Sequence, residues 1–311
     1  MYLVTGGAGF IGSNIVERLV GEGVAVRVLD DLGNGLRANL EPFGQRVELI
    51  EGDIRDPDTV ARAMAGVEVV LHLAALGSVP RSVEDPATSN EVNVVGTLNV
   101  LIAARDAGVR RLVYSSSSSV YGDNPHLPKH EGLATSPISP YAASKLAGEN
   151  YTRAFHSVYG METVSLRYFN VFGPRQRPDS PYSAVIPLFM GWAMAKEPLV
   201  INGDGCQSRD FTYVGNVVQA NLAAARAEGV AGRVFNVACG QRYSLLDLVG
   251  ALEKACGGPL ERNHREARPG DVRHSEADIS AARQALGYSV ETTFGDGLEK
   301  TWQAFKAAHM A

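Results

Sequence analysis

The stretch Thr5-Gly6-Gly7-Ala8-Gly9-Phe10-Ile11-Gly12 lies between a short apolar run, residues 2–4, and an amphipathic segment, residues 13–22. A strand, a glycine-rich turn and a helix in that order are the context in which such a loop binds a dinucleotide. Gly6 permits the tight turn, Gly9 lets backbone N–H groups approach the pyrophosphate, and Gly12 lets the helix pack closely on the strand. The helix N-terminus adds partial positive charge for the phosphates. The next strand, Val26-Arg27-Val28-Leu29-Asp30, ends on an acid at roughly the ~20-residue spacing such folds use. Asp30 is suited to accept hydrogen bonds from the adenosine ribose hydroxyls, and its charge repels a 2′-phosphate. NAD is therefore expected rather than NADP. Arg27 and Arg37, the nearby cations, read as solvated. Asp53, closing a third strand in Gly52-Asp53-Ile54, either meets the adenine amino group or is a strand-end turn residue.

Outward from this loop, short apolar runs recur at 2–4, 24–29, 47–51, 69–73, 112–115 and 163–167. They read as strands buried on both faces. Amphipathic helical segments lie between them, at 13–22, 57–64, 90–107 and 141–159. This alternation predicts an α/β fold, a doubly wound parallel sheet of the Rossmann type with helices on both faces. After Arg167 the pattern becomes irregular, with glycine and proline crowding 173–187. Helices are expected at 184–196, 214–227 and 245–256, a strand at 233–237, and a C-terminal helix. The expected organisation is a dinucleotide-binding domain of 1–169 plus about 208–241, and a smaller substrate-binding lobe of about 170–207 plus 242–311.

The 311 residues carry a formal net charge of −5 with no long basic run, which argues against nucleic acid or an anionic membrane as partner. Hydrophobic residues at 45% and charged residues at 20% suit a soluble globular chain. Cys206, Cys239 and Cys256 are widely spaced, which fits a reducing compartment and predicts neither disulfides nor zinc. His126 and His130 are four apart, but in a proline-containing loop, so no metal site is expected. With no basic leader and no apolar run long enough to span a membrane, a cytoplasmic location is expected.

Ser139-Pro140-Tyr141-Ala142-Ala143-Ser144-Lys145 marks a helix start, with Ser139 as cap and Pro140 in the first turn. Residues four apart share a helix face, so the Lys145 ammonium is expected near the Tyr141 phenol. A cation there favours phenolate and pulls its pKa down toward neutral, as a general base requires. A surface tyrosine and lysine on an ordinary helix is the plainer alternative; the glycine loop upstream weighs against it.

Together these residues resemble the extended short-chain dehydrogenase/reductases, specifically the nucleotide-sugar epimerases. The matching motifs are the glycine loop, His72-Leu-Ala-Ala75, Ser115-Ser-Ser-Ser-Ser-Val-Tyr-Gly122 and Pro140-Tyr-Ala-Ala-Ser-Lys145. Arg167-Tyr-Phe-Asn-Val-Phe-Gly-Pro174, Ser208-Arg-Asp-Phe211 and Arg268-Pro-Gly-Asp271 extend the match along nearly the whole chain. The resemblance implies a catalytic Ser–Tyr–Lys group: Ser117, with Ser116 as the neighbouring register, Tyr141 and Lys145. It implies further cofactor contacts at Phe10, Ile11, Asp31, Asn34, Ile54, Leu73, Ala74, Ala75, Asn93, Ser115 and Tyr168. For the substrate it implies Gly77, Ser78, Asn170, Arg209, Arg268, Asp271 and Ser275, with the two arginines as fork-shaped pyrophosphate donors. An Asp210-paired surface arginine is the alternative for Arg209. Ser275 stands at the family's gate position, where a small residue admits a 2-N-acetyl group. The expected activity is therefore reversible C4 epimerisation of UDP-hexoses with tightly bound NAD, on N-acetylated and plain sugars alike.

Rival readings are a 4,6-dehydratase, another nucleotide-sugar oxidoreductase, and a non-catalytic NAD-binding regulator. Dehydratases and decarboxylases of this kind carry an acid where this chain has Ser117-Ser118-Ser119, which favours the epimerase. The resemblance also implies a homodimer paired through helices 90–107 and 141–159, whose outward faces would include Ala103, Ala104, Ala147 and Tyr151.

Overall fold

A computed structural model describes residues 1–178, 184–266 and 273–310. Its largest sheet has seven strands: β1 (Tyr2–Thr5), β2 (Val26–Asp30), β3 (Val47–Glu51), β4 (Val69–His72), β5 (Arg111–Ser117), β6 (Glu162–Tyr168) and β11 (Arg233–Val237). They lie in the order β11-β6-β5-β4-β1-β2-β3, every neighbouring pair parallel. This is the doubly wound arrangement, with β11 added beside β6. Helices on both sides explain why β2 and β4 are buried along their whole length.

On one side α1 (Phe10–Gly21) packs against α8 (Val214–Arg226), burying Ile15, Leu19, Val217 and Leu222 over Val4 and Val28. The opposite side holds α2 (Pro57–Ala63), α5 (Thr97–Asp106) and α6 (Pro140–Tyr159), which bury Val60, Leu101 and Phe155 over Leu3 and Leu112. Two short helices, α3 (Val79–Glu84) and α4 (Pro86–Asn90), follow β4. A third cluster, including Phe172, Ile186, Leu248, Phe294 and Trp302, joins α7 (Val185–Ala195), α9 (Leu245–Cys256) and α11 (Phe294–Met310). Around it run β7 (Val171–Phe172), β8 (Leu199–Asn202), β9 (Ser208–Arg209), β10 (Thr212–Tyr213), β12 (Tyr243–Ser244) and β13 (Arg262–Arg265). The helix α10 (Ser280–Leu286) returns to the first cluster through Ala282 and Leu286.

Three expectations are corrected. The helix expected over 90–107 is interrupted: α4 runs into a π-helical turn, Glu91–Gly96, before α5 begins. That turn buries Asn93, whose amide grips both the N–H and the C=O of Leu76. Ala104, expected on an outward face, is fully buried in the core. Arg27, expected in solvent, is buried, pairs with Glu48 and donates to the carbonyls of Ala63 and Ala65. Arg37 is exposed and pairs with Glu51. Among the described residues no helix is long and apolar enough to cross a membrane, and no group of three or more His, Cys, Asp or Glu is placed to hold a metal ion.

Candidate active site

The glycine loop crosses the C-terminal ends of β1, β2 and β4 and opens a cleft of about 640 Å³. Gly6 adopts a left-handed φ of +69°, and a Cβ on Gly12 would lie 2.1 Å from the Gly6 carbonyl oxygen. Any side chain at either position closes the turn, so this cradle fits a pyrophosphate-binding loop. Asp30 is buried at the end of β2 and accepts hydrogen bonds from the Ala8 and Leu32 N–H groups, both at 2.9 Å. Burial pushes its pKa up, while those N–H bonds oppose the shift. Asp30 thus shapes the loop as well as facing the cleft.

The cleft wall includes Gly9, Phe10, Ile11, Asp31, Asn34, Asp53, Ile54, Leu73, Ala74, Ala75, Gly77 and Ser115. Asp53 pairs with Arg55 at 2.5 Å, which holds its carboxyl below the ordinary range. Asn93 lies behind the wall, spending its amide on Leu76 and the Ser144 hydroxyl. Tyr168 is buried and donates to Asn221 at 2.9 Å; burial pushes its phenol up to about 12, opposed by the nearby Ser115 and Asn221 side chains. Sequence reasoning missed Arg81, Arg175 and Arg177 on the same wall. Arg81 reaches across the mouth to Asn34 at 3.1 Å. The run of cations around Gly173-Pro174-Arg175-Gln176-Arg177 was the available signal.

Outside the residues that line the cleft, Ser139 caps α6 by accepting from the Ala142 N–H, and Tyr141 N–H donates to the buried Ser82 hydroxyl at 3.0 Å. Ser117, at the end of β5, lies near enough to the Tyr141 phenol to oppose its shift, and accepts from the N–H and hydroxyl of Ser119. Lys145 is buried, and its Nζ donates to the Ser115 carbonyl at 2.8 Å. Ser116 points the other way, its hydroxyl on Glu149 at 2.9 Å. Of the two serines, it is Ser117 that stands beside the Tyr141 phenol.

The electrostatics reverse the expected sense. Burial raises the Tyr141 phenol, opposed by the nearby Ser117 side chain, while burial lowers the Lys145 ammonium to about 7. Two groups expected to ionise each other are both driven toward neutrality, because the pocket removes water from each before it offers a counter-charge. Behind them His72 is buried and held neutral, its pKa lowered by burial, then by Lys145, to about 3. It sits between the hydroxyls of Thr5 at 2.7 Å and Thr97 at 3.0 Å.

Directly before β7, the Asn170 amide donates to the Asp210 carbonyl at 3.2 Å and reaches the Ser275 hydroxyl at 3.5 Å. Ser275 N–H donates to the Ser208 carbonyl, and Arg209 Nη1 donates to the carbonyls of Ser208 and Arg273. The structure thus brings Asn170, Arg209 and Ser275 together. Asp210 is buried and accepts from the N–H groups of Cys239, Gly240 and Ala277. Burial pushes its carboxyl up to about 7. Ser78 caps α3 by accepting from the Arg81 N–H. Arg268 and Asp271 lie outside the described residues.

A family model described as the NAD dependent epimerase/dehydratase family matches residues 2–238. The chain belongs to that family. NAD is accordingly its cofactor, in keeping with the loop's fit. A UDP-glucose 4-epimerase of Mycolicibacterium smegmatis is 41% identical over 308 residues, covering 98% of each chain. The structure of a UDP-N-acetylglucosamine 4-epimerase from Methanobrevibacter ruminantium M1, in complex with UDP-N-acetylmuramic acid, superposes with a TM-score of 0.94. It is 39% identical and covers 99% of this chain and 98% of its own. A dTDP-glucose 4,6-dehydratase of Streptomyces niveus is 34% identical over 317 residues, covering 98% of this chain and 92% of the relative.

Proposed function

We propose that this member of the family is a UDP-hexose 4-epimerase that inverts C4 through a transient 4-keto sugar. The observation that carries the reading is the grouping of Ser117 beside the Tyr141 phenol with Lys145, whose Nζ reaches the carbonyl of Ser115 on the wall of the glycine-loop cleft. Bound NAD supplies a hydride acceptor and then a hydride donor. Tyr141, as phenolate, takes the C4 hydroxyl proton and later returns it. Ser117 holds the reacting oxygen and passes its proton to the phenol. Lys145, in its cationic state, stabilises the phenolate and binds the nicotinamide ribose. Asn170 and Arg209 hold the nucleotide's phosphates and sugar, joined by Arg268 and Asp271. A burial-raised phenol keeps the base unionised until the ligands enter, which limits wasteful proton exchange.

The 4,6-dehydratase reading fits less well. Elimination needs an acid beside the oxidised sugar, and the end of β5 offers the hydroxyls of Ser117, Ser118 and Ser119 in its place. An oxidoreductase that releases NADH would use the same trio and differ only in whether the cofactor turns over within the site; a non-catalytic regulator would have no use for the trio.

Ser275, beside Asn170, is proposed as the gate that admits an N-acetyl group. Proton NMR of the anomeric signals is expected to show UDP-N-acetylglucosamine and UDP-glucose each converting to its galacto epimer. Ser275→Tyr should lower turnover of the N-acetylated pair by on the order of 10²-fold, by steric clash, and that of the plain pair by far less. Equal losses on both pairs would remove the gate from the account; no conversion of either sugar would remove the epimerase.

The proposed division of labour is 1–169 plus about 208–241 for NAD, and about 170–207 plus 242–311 for the UDP-sugar. It is supported by β11 joining the main sheet and by the separate Phe172–Trp302 cluster. A homodimer is proposed from the apolar side chains exposed on α5 and α6: Ile102, Tyr151, Val158 and Tyr159. Light scattering should give about twice the 33.2 kDa chain mass. Val158→Asp should shift that mass toward one chain; a wild-type mass of one chain would sink the dimer.

A further inference from the structure

One buried ionic group near the trio touches neither the cleft wall nor the phenol. Glu149 follows Tyr141 and Lys145 along α6 at intervals of four, so all three side chains share the face turned to the sheet. Its side chain is 2% exposed and that of its partner, Arg167 on β6, is 5% exposed. Glu149 receives Arg167 Nε at 2.9 Å and Nη2 at 2.5 Å, a two-pronged contact, and the Ser116 hydroxyl at 2.9 Å. Ser116 and Arg167 are paired residues on the adjacent strands β5 and β6. The carboxylate therefore stitches three elements together at one level.

Two catalytic contacts lie on either side of that stitch. The carbonyl of Ser115 receives Lys145, and the hydroxyl of Ser117 meets Tyr141. Arg167 also stands over the Tyr121 ring, 4.7 Å from its centroid, and Tyr121 donates to Asn236 on β11. Ser116 is thus held from behind while its two neighbours face the chemistry.

We propose that Glu149 and Arg167 form a positioning pair that sets the end of β5 against α6, and so fixes Ser117 and the Ser115 carbonyl relative to Tyr141 and Lys145. The proposal rests on reading that trio as catalytic. Stability alone is a poor reason for such a pair. Two charges removed from water carry a desolvation cost, and well-packed apolar replacements of a buried pair are often neutral or stabilising. Geometry is a better reason, since a displacement of about 1 Å at a reacting group costs on the order of 10²-fold in rate.

The test is the double variant Glu149→Leu/Arg167→Met, which removes both charges and leaves neither unpaired. It is expected to melt near the wild-type temperature, to keep its bound NAD, and to keep the wild-type KM within a few-fold. Its kcat should fall by roughly 10- to 100-fold, with a displaced pH profile. Wild-type kcat and pH profile in a folded double variant would overturn the proposal and leave the pair structural only. If that variant does not fold, Glu149→Gln, which keeps the shape and an acceptor for Ser116, carries the same measurements. A second readout is independent of turnover: the Lys145 ammonium, followed by nitrogen NMR in isotope-labelled protein. A loosened β5 end admits water, so its midpoint should move upward from the wild-type value in the variant; an unmoved midpoint overturns the proposal. A wild-type chain inactive on UDP-sugars would defeat the catalytic reading instead, and the lysine titration would still decide whether the pair positions these groups.

Discussion

Tyr141→Phe is expected to lower kcat for C4 epimerisation by on the order of 10²–10⁴-fold, the range a positioned general acid–base supplies. The substitution removes one oxygen and leaves the ring, so the start of α6 should stand unchanged. The Tyr141 N–H bond to Ser82 and the Ser139 cap are backbone contacts that phenylalanine keeps. Ser117 loses its phenol partner but retains the N–H and hydroxyl of Ser119. NAD retention and KM should therefore change by no more than a few-fold, and the loss should fall on kcat. Rates by NMR together with bound-NAD content after gel filtration check this. A variant that keeps more than a tenth of wild-type kcat would move the proton-transfer role away from Tyr141.

Lys145→Met is expected to have two separable effects. Turnover should fall on a similar scale, because the phenolate loses its cation. Stability should change with pH in a direction set by burial. Unfolded, the lysine keeps its proton up to about 10.5; folded and without ligands, it releases it near about 7. Between those values the unfolded chain binds the extra proton, so raising the pH through the window stabilises the folded state. That contribution is complete above about 10.5 and is lost as the pH falls to about 7. At ~1.4 kcal/mol per unit the span reaches at most about 5 kcal/mol. Urea unfolding of the NAD-free proteins should therefore show wild type gaining on Lys145→Met from pH 7 upward. A constant difference across that window would mean that the ammonium is solvated in the folded chain.

Much of the site was legible because its chemistry is local. The turn at Gly6 and the contact at Gly12 need particular residues at particular places, and Asp30 ends its strand within reach of that loop. Ser139 and Pro140 announced α6, and the spacing from Tyr141 to Lys145 put both on one face. What sequence pattern missed came from contacts distant along the chain. The π-turn at Glu91–Gly96 is hidden because its apolar positions average into one helical period, while the grip of Asn93 on Leu76 forms only in the fold. Arg27 read as solvent-exposed because its partners, Glu48 and the carbonyls of Ala63 and Ala65, lie on other elements. β13 carries Arg-Asn-His-Arg, all exposed, and exists by pairing with β8 rather than by apolar pattern. The direction of the Tyr141 shift was misjudged for a related reason. Spacing shows that a cation is near, but only the fold shows how little water surrounds both groups.

The central claim is that hydride leaves C4 and returns to the same carbon without escaping the site. Incubating UDP-glucose deuterated at C4 with the purified protein, without added NAD, tests it most directly. The account predicts UDP-galactose carrying undiminished deuterium at C4, with no NADH in solution. Deuterium missing from C4 of the product, or a 4-keto-6-deoxy sugar, would contradict it.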